Sequence, residues 1–186
     1  TPCGTLFPYT TLFRSVSGRE AEERRADLVK RDLQRLILGL AGERYVGPAG
    51  RFSMVPPDGW TVKEGAAKDP YDVTFTGPFG QSLSVLTADA GASDMASLER
   101  TLLEKEEDLG LRTHLAAIRL GGRTVFRRRT SLMEEVALAI DFIVDGVAHH
   151  ILFSAPRELY DEYEPVIMDL MKTYRPGTDA APDREE

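Results

Sequence analysis

Between Val136 and Phe153 the chain reads VALAIDFIVDGVAHHILF, with apolar residues at every second position, Val136, Leu138, Ile140, Phe142 and Val144. Asp145-Gly146 follows, and the alternation resumes at Val147, Ile151 and Phe153. A period of two on either side of an Asp-Gly link predicts a β-hairpin with a type I′ turn, because both central residues must take positive φ and these types tolerate it. The link sets the register: Val144 should face Val147, Phe142 should face His149, Ile140 should face Ile151 and Leu138 should face Phe153, all on one side. Each large apolar side chain buried there contributes roughly 1.5 to 3 kcal/mol, so the hairpin is the centre from which a core grows. The other side carries Ala137, Ala139, Asp141, Ile143, Ala148, His150 and Leu152. Small and apolar residues dominate it, which predicts partial cover by a helix.

Around this centre the chain alternates strand and helix signals. Gly18 to Ala41 places Leu28, Leu33, Leu36, Ile37 and Leu40 at mostly helical spacings with Gly42 as a stop, which predicts an amphipathic helix or linker over 16–44. Arg51 to Val55 reads as a short strand, and Pro56-Pro57-Asp58-Gly59 as a turn that delivers Trp60 to an edge of the core. Asp72–Thr76 and Gln81–Thr87 read as strands joined by the loop Gly77-Pro78-Phe79-Gly80. Ser93-Asp94 can cap a helix to about Leu109, with Met95, Leu98, Leu102 and Leu109 inward and Gly110 as terminator. Leu111–Leu120 and Arg123–Met133 read as strands joined at Gly121-Gly122. A last helix opens at Pro156 with Leu159, Tyr163, Val166, Ile167, Leu170, Met171 and Tyr174 at helical spacings, and Pro165 inside it predicts a kink or a restart.

Composition narrows the function. A length of 186 residues suits one domain with a real core and terminal additions. The formal charge of −7 argues against nucleic acid as a partner, since phosphate binding needs a basic surface. Every apolar run is too short to span a bilayer. Cys3 is the one cysteine, so an internal disulfide and a cysteine-based metal site are both excluded. Thr5–Ser15, TLFPYTTLFRS, reads as the translation of a sequencing adapter, and residues 1–15 are expected to be foreign to the gene. The chain starts without Met, so a signal peptide or lipid-anchor motif encoded upstream is expected to have been lost. Residues 177–186, acidic with proline and alanine, are expected to be a disordered tail.

Candidate chemistry is sparse. His149 and His150 are adjacent on a strand and must point to opposite faces, so they cannot share a metal. His150 should face Asp141 across the hairpin, like the lower half of a catalytic triad, but no G-x-S-x-G elbow supplies a nucleophile. A cross-strand ion pair is the plainer reading. No metal-binding or phosphate-cradling motif occurs, and no cofactor is expected. Arg127-Arg128-Arg129 splits between faces, with Arg127 and Arg129 together on one side. Tyr160, Tyr163 and Tyr174 read as core and rim residues.

The succession RFSMVPPDGW, then QSLSVLTAD, a Leu-rich helix, LGGRTVF, the Asp-Gly hairpin and a final helix closing on TYRP resembles the PsbP-like superfamily over Tyr45 to Pro176. That family takes in PsbP, the Ran-binding Mog proteins and bacterial DcrB-type lipoproteins. Phe52, Pro56, Pro57, Gly59 and Trp60 match its opening signature, and Gly122 to Val125 a weaker one. The resemblance implies an α+β domain over 45–176, an α/β/α sandwich around an antiparallel sheet, without catalytic residues. It implies a non-enzymatic binding or assembly protein of the bacterial cell envelope that recognises a protein partner. A cytoplasmic chaperone-like adaptor for secreted effectors and a small hydrolase using His150 and Asp141 are the competing expectations. Trp60, Phe79, Arg127 and Arg129 are the candidate partner-binding residues. A monomer is expected, extracytoplasmic or membrane-anchored rather than cytoplasmic.

Overall fold

The expected hairpin and its register are present in the computed structural model, which describes residues 43–109 and 114–177. The expectations for residues 1–42, for 110–113 and for the tail from 178 lie outside these. In chain order the elements are β1 (Tyr45–Val46), a short 3-10 turn, β2 (Phe52–Met54), β3 (Thr61–Glu64), β4 (Val73–Thr76), β5 (Ser82–Asp89), α1 (Met95–Leu109), β6 (His114–Leu120), β7 (Arg123–Leu132), β8 (Glu135–Val144), β9 (Val147–Pro156), α2 (Arg157–Thr173) and β10 (Arg175–Pro176). Strands β3 to β9 form one antiparallel sheet in the order β3-β4-β5-β9-β8-β7-β6, with β9 in the middle. A smaller sheet, β1-β2-β10, joins the start of the domain to its end.

Strands β8 and β9 pair Val144 with Val147, Phe142 with His149, Ile140 with Ile151 and Leu138 with Phe153. Asp145 and Gly146 take φ of 51° and 75°, the left-handed values that the turn demands. Strand β5 adds Leu83 opposite Phe153 and Val85 opposite Ile151, which extends the same apolar face. Helix α2 covers that face. Its Tyr160 and Tyr163 lie 6.0 and 6.2 Å from the Phe153 ring, and Tyr160, Tyr163, Ile167, Leu170 and Met171 are all buried.

Helix α1 lies on the opposite face. Leu102 is buried, Met95 and Leu98 are half-buried, and Ala139 of β8 is buried on that face. Asp94 caps its start, accepting a hydrogen bond from the Ser97 N–H at 2.8 Å. Strand β7 pairs with β8 only from Phe126 onward, and beyond that point the Ile143 N–H donates to Met95 Sδ at 3.3 Å instead. The result is the expected α+β architecture, an antiparallel sheet between two helical layers.

Of the kink or restart expected at Pro165, the restart does not occur, and α2 continues as one helix past it. The proline sits on the exposed face, where water can satisfy the carbonyl it leaves unbonded. Strand β3 was not expected, because all four of its side chains are exposed and no alternation marks it. The bridges β1 and β10 are too short to leave a pattern.

Two glycines are required for different reasons. Gly146→Ala meets no atom within 4 Å but must hold positive φ, and is expected to cost about 1 kcal/mol in urea unfolding from backbone strain. Gly77→Ala would place a Cβ 2.5 Å from Gln81 Oε1 and 3.0 Å from the Trp60 ring, and should cost about 1 to 3 kcal/mol by overpacking.

Candidate functional site

The three consecutive arginines of β7 are sorted by the pleat. Arg127 and Arg129 face α2, where Arg127 pairs with Glu164 and Arg129 meets Asp161 at 3.1 Å. The Arg129 guanidinium also lies 4.5 Å over the Tyr160 ring. Arg128 turns to the other face and binds Asp141 Oδ2 through Nε and Nη2 at 3.2 and 2.9 Å. Asp141 is buried, and its second oxygen takes His150 Nδ1 at 2.6 Å. The His150 ring stacks against Tyr71 at 6.3 Å.

This constellation has half the form of a catalytic triad, but its carboxylate is shared. Asp141 orients an imidazole with one oxygen and neutralises a guanidinium with the other. On the same face Ser82 is hydrogen-bonded to Ser154 and Thr74 to Ser84, both at 2.9 Å. A buried carboxylate held by two donors on neighbouring strands is what a structural tie requires.

On the α2 face, His149 is buried and stacks on Phe142 at 4.8 Å. Its Nδ1 and the Tyr174 hydroxyl are hydrogen-bonded at 2.8 Å, while Nε2 is buried without a partner among the described residues. Burial pushes the His149 pKa down to about 4, helped by the positive charges of Arg123 and Arg51 and opposed by Asp72. Burial likewise raises Tyr174 far above the ordinary phenol range and pushes Tyr163 up to about 12. Asp72 is held by the N–H and hydroxyl of Thr87 at 2.7 and 2.6 Å. Beside these groups Leu120, Gly121, Arg123, Phe142, Met171 and Tyr174 line a cavity of about 10 Å³, room for one water at most.

The candidate partner-binding residues fall at two places. Trp60 is buried edge-on against Tyr163 at 6.3 Å, with half-buried Phe79 in the loop whose Gly77 lies under the indole. Arg127 and Arg129 lie on β7, separated from β5 in the sheet order by β9 and β8. The sequence does not reveal Asp72, Tyr71 or the Tyr174 contact, because each depends on which distant strands become neighbours.

The fold resembles several solved structures at low identity. The solution structure of cyanobacterial PsbP (CyanoP) from Synechocystis sp. PCC 6803 matches with a TM-score of 0.55 and 15% identity, covering 75% of this chain and 99% of that one. A crystal structure from Bacteroides thetaiotaomicron VPI-5482 matches with a TM-score of 0.57 and 14% identity over 73% of this chain and 48% of that one. LpqN, involved in cell envelope biogenesis of Mycobacterium tuberculosis, matches with a TM-score of 0.50 and 12% identity over 73% of this chain and 85% of that one. Comparison with family models and with curated proteins finds no match. The class is thus an α+β sandwich built on an antiparallel sheet. Its particular form is the PsbP-like fold. Among the described residues no helix is long and apolar enough to cross a membrane.

Two measurements check the site. Asp141→Ala leaves Arg128 half-buried without its carboxylate and should cost about 3 kcal/mol, whereas the exposed pair lost in Arg129→Ala should cost below about 1 kcal/mol in the same denaturant series. His149 has an ordinary value of 6.5 when unfolded and about 4 when folded, so the folded state binds fewer protons between these values. Its contribution to stability is therefore complete above pH 6.5 and is lost as pH falls toward 4. His149→Phe should remove that limb, and the stability difference between wild type and variant should shift in favour of the variant across this window.

Proposed function

We propose that this chain is a non-enzymatic binding or assembly protein of the bacterial cell envelope that recognises a protein partner. The observation that carries this reading is where the ionisable side chains are spent. Arg127, Arg128, Arg129, Asp141, Asp161 and Glu164 are engaged with one another, tying strand to strand and helix to sheet. Among the described residues, the surface open to a partner is half-buried Phe79, beside the buried Trp60, together with the outer edges β3 and β6 of the large sheet. Extended segments of partners add to such edges through backbone hydrogen bonds. The likeness to LpqN, which is involved in cell envelope biogenesis, supports the compartment.

The hydrolase reading has one observation in its favour, the Asp141–His150 bond. It is weakened by the diversion of Asp141 to Arg128. The test is affinity capture with the full chain as bait in an envelope extract of the native host, comparing wild type with Phe79→Asp and Arg119→Glu. A reproducible stoichiometric partner lost with one of the variants is expected. Identical retained sets for all three baits would overturn the reading.

A further inference from the structure

Among the described residues, the large sheet ends in two unpaired edges that differ in kind. Strand β3 is four residues long, and its central Lys63 is tied to Asp69 at 3.2 Å, with Glu64 beside it. A short edge carrying a charge of each sign is poorly suited to adding a strand. Strand β6 is seven residues long, HLAAIRL, and all seven pair with β7 on one side. Its other side is the sheet boundary. It holds no proline, and Leu115, Ala116 and Ile118 are half-buried on alternate faces.

Charge separates the edges further. Between His114 and Leu132 the chain carries Arg119, Arg123, Arg127, Arg128 and Arg129 and no aspartate or glutamate, in a protein of formal charge −7. Carboxylates elsewhere in the fold neutralise Arg127, Arg128 and Arg129. Arg119 and Arg123 have no carboxylate partner among the described residues. Arg119 is exposed and reaches only the Thr124 hydroxyl at 3.5 Å, and half-buried Arg123 lies 5.6 Å over the Phe142 ring. Because Arg123 is opposite Leu120 and Arg119 opposite Thr124, the two cations emerge on opposite faces at one end of the β6–β7 pair. Exposed His114 lies at the other end.

We infer that β6 is a docking edge for an extended acidic and apolar segment of a partner protein, which adds to the sheet beside β6 and sets carboxylates against Arg119 and Arg123. Backbone hydrogen bonds supply the pairing, Leu115 and Ile118 meet apolar side chains on the two faces, and the unneutralised arginines select for acid. A second copy of the same edge is disfavoured, since the span from His114 to Leu132 offers no carboxylate to meet Arg119 and Arg123. This inference rests on the binding-protein reading and commits it to one edge and one partner chemistry.

The test uses the full chain and fluorescent eight-residue peptides of alternating glutamate and valine, alternating lysine and valine, and alternating glutamate and proline. Fluorescence anisotropy and amide hydrogen exchange are read at low and at raised salt. The glutamate–valine peptide is expected to bind, to weaken with salt, and to slow exchange at β6. The lysine–valine peptide should fail on charge, and the glutamate–proline peptide should bind more weakly, because proline fixes φ at about −65°, away from the extended strand value, and removes the apolar valines. Arg119→Glu with Arg123→Glu should weaken binding about ten-fold, the loss of two partly screened charge pairs. Circular dichroism of the double variant confirms that it is folded. No binding of the glutamate–valine peptide, equal binding of all three peptides, an unchanged affinity of the folded double variant, or slowed exchange at β3 in place of β6 would each overturn the inference. If affinity capture depends on Phe79 and not on Arg119, the binding-protein reading stands while the β6 edge is eliminated.

Discussion

A slip of β8 against β9 by one residue would exchange the large apolar side chains of the core face for the small and polar ones of the other face, and the positive φ angles at Asp145 and Gly146 leave no room for it. With that register held, Leu138, Ile140, Phe142, Ile151 and Phe153 share a face, and α2 and β5 complete a core around them. The same register sets Asp141 opposite His150, because the pair lies on the reverse of the pleat. Hydrophobic pairing on one side of the ribbon thus decides where charge must be neutralised on the other.

That neutralisation explains the run Arg127-Arg128-Arg129. Alternation sends the outer two to Asp161 and Glu164 on α2 and the middle one to Asp141. The outer two pairs cross to a helix more than thirty residues on and the middle one to the next strand, so the run clamps helix to sheet above and strand to strand below. The exposed Arg129–Asp161 pair contributes little by itself, whereas the buried Asp141 would be costly without both donors. His149 belongs to the same architecture in neutral form, joining the hairpin to Tyr174 at the end of α2.

The hairpin was legible because a local turn dictated its pairing, and Met95, Leu98 and Leu102 of α1 and Tyr163, Ile167, Leu170 and Met171 of α2 were legible because 3.6-residue spacing needs no distant information, whereas buried Tyr160 lies one residue past the Leu159 that the spacing selected. The split of the arginines followed from the pleat alone. Strand β3 was hidden, since Thr61, Val62, Lys63 and Glu64 are all exposed and carry no burial pattern. The neighbourhood of His149 was half legible: Phe142 came from the hairpin register, but Thr87 and Tyr174 required the non-local pairing of β5 and the docking of α2. Pro165 misled because its cost depends on which side of the helix it occupies, and periodicity alone did not weigh that.

The small sheet β1-β2-β10 sets Tyr45–Val46 and Arg175–Pro176 on either side of β2, with Arg44 donating to the Thr173 carbonyl at 2.9 Å. Both ends of the described domain therefore depart from one patch. Under tension applied through those ends, the load falls first on these short ladders, in the manner of a clasp, while the seven-stranded sheet is shielded until they part. Mechanical resistance in this molecule would be set by a few backbone bonds around Ser53, and not by its hydrophobic interior.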